Sequence, residues 1–88
     1  MLTHKVDADS PVPLYRQIHL ILREQIMTGE IPPNRRLPTH KELCTLYGVS
    51  RNSAARAVVM IEQEGLARFV HGKGIFVVSA DELPPPEP

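Results

Sequence analysis

Four consecutive residues, Ser50, Arg51, Asn52 and Ser53, combine side chains that read base edges with side chains that hold phosphates. An arginine guanidinium donates two parallel hydrogen bonds to guanine, an asparagine amide pairs with adenine, and serine hydroxyls bond to phosphate oxygens. Downstream, Lys73 stands between Gly72 and Gly74 in the run H-G-K-G that His71 opens. A lysine flanked by glycines presents a cation with little bulk, suited to a minor groove or to phosphates. Arg36 and Lys41 lie upstream, and Arg56 follows Asn52 by one helical turn. Gly74 aside, these ten residues form a candidate surface for double-stranded DNA.

Charge counted over the whole chain hides this surface. Ten Lys and Arg balance ten Asp and Glu, for a formal net charge of zero. Between Arg35 and Lys73, however, seven basic residues stand against three acidic ones, an excess of four, with His40 and His71 in the same stretch. The compensating acids gather near the ends, in Asp7, Asp9, Asp81, Glu82 and Glu87. The local field, not the total, steers a protein toward a polyanion.

Other chemistries lack their parts. The four histidines His4, His19, His40 and His71 are scattered, without the ligand spacing of a zinc site, so no metal or cofactor is expected. Cys44 is the single cysteine; it forms no intramolecular disulfide, suits a reducing cytoplasm and reads as a small buried residue. No nucleophile, base and orienting group assemble, so an enzyme is not expected. The apolar run around residues 18–22 is far shorter than the roughly 20 residues needed to span a bilayer, and no signal peptide opens the sequence.

The elements that must position the candidate residues follow from periodicity. Between Pro13 and Thr28, Leu14, Ile18, Ile21, Leu22 and Ile26 recur at spacings of three and four, the stripe of an amphipathic helix that Gly29 closes. Two prolines in E-I-P-P-N-R-R forbid its continuation. In P-T-H-K-E-L, Thr39 and Glu42 have capping-box spacing and open a short helix ending at Gly48, with Leu43, Leu46 and Tyr47 expected inward. Ser50 caps a third helix reaching Glu64, with Ala54, Ala57, Val58 and Ile61 inside and Asn52, Arg56 and Gln63 outside. Two helices joined by so short a turn make a helix-turn-helix. L-A-R-F-V and I-F-V-V then form a hairpin across H-G-K-G. The expected fold is therefore α+β: a winged helix-turn-helix of three helices and a two-stranded β-hairpin wing. It occupies residues 12–79, between a flexible, unpacked N-terminal arm at 1–11 and a proline-rich tail or linker at 80–88.

P-L-Y-R-Q-I, L-R-E-Q-I-M-T-G-E-I-P-P, L-P-T-H-K-E-L, Y-G-V-S-R-N-S and E-G-L-A-R-F-V-H-G-K-G-I-F-V occur in this order from Pro13 to Val78. Taken together they resemble the N-terminal domain of GntR-family bacterial transcription regulators. The resemblance implies a winged helix that binds operator DNA as a homodimer, more often in a repressor than in an activator. It also implies a small-molecule effector, but only where a C-terminal domain lies outside this chain. By position, Arg36, Lys41, Ser50, Arg51, Asn52, His71, Gly72 and Lys73 fall where family members touch DNA. The chain departs from the family at Ala55, which stands where an arginine is customary, and Arg56 beside it points about 100° away. Asn34 replaces a usual glycine, and Lys41 an arginine, which loses the bidentate fork. A second reading, a winged helix serving as a protein-interaction module, rests on Ala55 and on Val59 and Met60, apolar residues expected exposed near the outer face.

Overall fold

The computed structural model describes residues 5–84. Three helices, α1 (Leu14–Met27), α2 (His40–Tyr47) and α3 (Arg51–Gln63), precede an antiparallel hairpin of β1 (Ala67–Val70) and β2 (Gly74–Val77). This is the winged helix-turn-helix anticipated from the periodicity. Ile18, Leu22 and Ile26 of α1 meet Ala54, Ala57, Val58 and Ile61 of α3 and Leu43 of α2 in one buried core. Gly29, Gly48 and Gly65 follow the three helices with positive φ, as helix termination by a left-handed residue requires.

The helix starts are built as their side chains dictate. Thr39 Oγ1 accepts from the Glu42 amide at 3.1 Å, and Glu42 Oε1 accepts from the Thr39 amide at 2.8 Å. Ser50 Oγ accepts from the Ser53 amide at 3.1 Å and opens α3. Pro13 serves as the N-cap of α1.

Two inward assignments need correction. Leu46 is 64% exposed, because the buried face of α2 is centred between Leu43 and Tyr47 and takes in Cys44; Leu46 falls on the far side of Leu43. Cys44 is half-buried against the core, with its thiol free. Met60 is half-buried, whereas Val59 is 47% exposed.

The sheet has a contributor that strand propensity does not announce. Arg36 bridges Phe76, the Asn34 amide donates to Val77 O at 3.0 Å and the Leu37 amide to Ile75 O at 2.8 Å. The Val77 amide in turn donates to Arg35 O at 2.8 Å. The connection between α1 and α2 therefore runs along β2 as an irregular third strand, with Asn34 at φ 66 turning the chain into it.

The ends are tied down within the described residues. Gln17 donates to the carbonyls of Asp7 and Val12 and accepts from the Asp7 amide, and Val6 packs on the core. After β2, Ser79 caps a short 3-10 turn, Ala80–Glu82, and Leu83 packs on the core. The outer parts of the expected arm and tail, residues 1–4 and 85–88, lie outside the described residues.

Candidate nucleic-acid interface

The first turn of α3 projects from the turn formed by Gly48 and the buried Val49. Arg51 and Asn52, its first two residues, are exposed. Lys41, second in α2, and Arg36, on the bridging segment, are exposed as well. Arg36, Lys41 and Arg51 line one surface groove with His40, Phe69 and Ile75, so the starts of both helices and the wing form its walls. Gly74 belongs to this groove, and a Cβ there would lie 3.2 Å from Arg36 Cδ. With φ at +120, the position combines close approach with a backbone conformation that side chains resist.

The wing tip is His71, Gly72 and Lys73, closed by the Lys73 amide donating to Val70 O at 2.9 Å. Gly72 takes φ +75. His71 is exposed, its ring edge-on to Phe69. Lys73 is exposed but lies apart from the basic groove, bordering the opposite face of the hairpin with Arg68 and Phe76.

Besides His71, three of the ten candidates, Ser50, Ser53 and Arg56, have side-chain partners among the described residues. Ser50 is the cap of α3, and its hydroxyl donates to Ser53 Oγ at 3.1 Å, so both hydroxyls serve the helix start. Arg56 stacks on Tyr15, its guanidinium carbon 4.0 Å from the ring centroid, which joins the outer face of α3 to the start of α1.

Electrostatics concentrate positive charge at the groove. The Thr39 amide, then the Thr39 hydroxyl and the nearby Arg36 charge, hold the Glu42 carboxyl below its ordinary value. That carboxylate is thus ionised at neutral pH but aimed at the helix cap. Arg68, counted in the basic stretch, is paired with Glu82 of the tail, which removes it from the positive surface. Among the described residues, no ion pair engages Lys41, Arg51 or Lys73.

Sequence reasoning overlooked three contributors. Phe69 lies on the groove wall, and alternation from the inward Ala67 was the available signal. Tyr15 carries Arg56. His19, one turn after Tyr15, is buried, and its Nε2 meets Glu64 Oε1 at 2.5 Å while Arg23 Nε approaches Glu64 Oε2 at 3.5 Å, joining α1 to the end of α3. Among the described residues no cluster of His, Cys, Asp and Glu could hold a metal, and no helix is long and apolar enough to cross a membrane.

Comparison with known proteins extends this geometry. Residues 14–77 match the family described as bacterial regulatory proteins, gntR family. The chain belongs to the GntR family. This GntR domain is 41% identical over 70 residues to the HTH-type transcriptional regulator YurK of Bacillus subtilis (strain 168), covering 80% of this chain and 29% of YurK. It is 36% identical over 72 residues to the HTH-type transcriptional repressor NagR of the same organism, covering 82% of this chain and 30% of NagR. The chain thus spans about three tenths of the length of these curated relatives. Its structure is similar to that of the AraR DNA-binding domain in complex with operator ORR3, with a TM-score of 0.73 and 30% identity, covering 88% of this chain and 93% of that one. The GntR domain is a winged-helix DNA-binding domain.

Proposed function

We propose that this GntR domain binds a sequence-specific operator in double-stranded DNA for a transcriptional repressor, with α3 in the major groove and the wing at the minor groove or phosphates. The observation that carries this is the single groove in which Arg36, Lys41 and Arg51 converge from three separate elements. Arg51 and Asn52 read base edges from the first turn of α3. Arg36 and Lys41 hold phosphates, and His71, Gly72 and Lys73 bring the wing to the backbone. Ser50 and Ser53 act chiefly by fixing the helix start, and Arg56, steadied by Tyr15, meets a phosphate beyond Asn52. The similarity to a domain bound to its operator supports this arrangement. The same reading carries a cytoplasmic location and a role without catalysis; a small-molecule effector would need a domain outside this chain.

Two outcomes follow at the level of binding. Lys73→Ala is expected to weaken binding to all duplexes by similar factors and to lower the salt slope by about one unit, because one phosphate contact is lost. Titration at several salt concentrations reads both quantities, and an unchanged slope and affinity would remove the wing from the interface. The isolated domain is expected to sediment as a monomer and to pair only on a two-fold symmetric duplex, since each copy reads one half-site. A tight dimer without DNA would overturn that arrangement.

A further inference from the structure

Phe69 is 61% exposed, a large apolar ring on the wall of the basic groove. The hairpin register fixes which way it faces. Phe69 is directly opposite Ile75, and Ala67 is directly opposite Val77, so all four side chains share one face of the sheet. Burial along this face fades toward the wing tip: Ala67 and Val77 are 4% and 2% exposed, Ile75 is half-buried, and Phe69 extends past the edge of the core. The ring therefore overhangs the groove that Arg36, Lys41 and Arg51 line. Its one described ring contact is the edge of His71, with centroids 6.4 Å apart. A phenyl ring held among cations suits a surface that is apolar and anionic at short range, and the deoxyribose-phosphate backbone is such a surface.

We propose that Phe69 packs on the deoxyribose of the DNA strand that passes between α3 and the wing, while Arg36 and Lys41 engage the flanking phosphates. This rests on the DNA-binding reading above and adds an apolar contact to it. The contact is insensitive to base identity, because every nucleotide carries the same sugar. It neutralises no phosphate, so it contributes to affinity without contributing to counterion release.

The test titrates the unaltered domain, Phe69→Ala and Phe69→Leu on the preferred duplex and on a scrambled duplex, each at several salt concentrations. Phe69→Ala is expected to weaken binding to both duplexes by a similar factor of roughly five, as partial loss of one apolar contact implies. The salt slope and the thermal midpoint should stay unchanged, and Phe69→Leu should restore most of the affinity. Three results would overturn the proposal: binding of Phe69→Ala equal to that of the unaltered domain, a loss confined to the preferred duplex, or a slope lowered by a full unit. The second would make the ring a base reader and the third a prop for the cations. Absence of DNA binding by the unaltered domain would overturn the underlying functional reading as well, and that control separates the two failures.

Discussion

Arg51→Ala is expected to lower affinity for the preferred duplex by about 1 to 3 kcal/mol, roughly 5- to 150-fold, and to lower affinity for scrambled DNA much less. Arg51 is the first residue of α3, exposed, and aligned with the groove that Lys41 and Arg36 share. A bidentate guanidinium loses both bonds together on truncation, and the guanine edge it served is left with no replacement donor. Stability should barely change, because the helix start is secured by Ser50 and no ion pair engages Arg51 among the described residues. Competition titrations with the two duplexes measure the effect. Equal losses on both would reduce Arg51 to a phosphate contact.

Leu22→Ala acts through the scaffold instead. Leu22 is fully buried on α1, in the core that includes Ala54, Ala57, Val58 and Ile61 of α3. Truncating a fully buried leucine costs about 2 to 5 kcal/mol, a large share of the roughly 5 to 15 kcal/mol that stabilises a small domain. The thermal midpoint should fall by roughly 10 °C or more. Because DNA binds the native state alone, the preferred duplex should recover part of that loss by mass action. Arg51→Ala should show the opposite pattern, a normal midpoint with a reduced shift on adding duplex. Thermal melts with and without DNA separate the scaffold from the reading surface. A Leu22→Ala midpoint within a degree or two of the unaltered domain would contradict the packing described here.

Much of this architecture was legible because local signals agreed with one another. The α1 stripe, the Thr39–Glu42 capping box, Gly48 with Ser50, and the paired strand-like runs each specify an element through nearby residues. What escaped depended on neighbours distant in sequence. No periodicity marks Asn34–Leu37 as a strand, since its backbone partners lie on β2. Leu46 turns outward because the centre of the α2 core face is set by what packs on it, not by hydrophobicity alone. His19 and Glu64 are separated by nearly the whole helical region, and only the packing of α1 on α3 makes them partners. The candidate site divides the same way. Arg51 and Asn52 follow from their place at a capped helix start, whereas the Tyr15 platform under Arg56 and the overhang of Phe69 emerge only from the assembled fold.

DNA recognition by this domain depends on a particular duplex being read by the first turn of α3. It is tested most directly by enriching bound sequences from random duplex DNA and then comparing affinities for the enriched and scrambled duplexes across a range of salt. A reproducible enriched half-site is expected, with a preference for it of at least about tenfold and affinities on both duplexes that fall as salt rises. An unenriched pool, with equal affinities for the two duplexes or no salt-dependent binding to either, would contradict it.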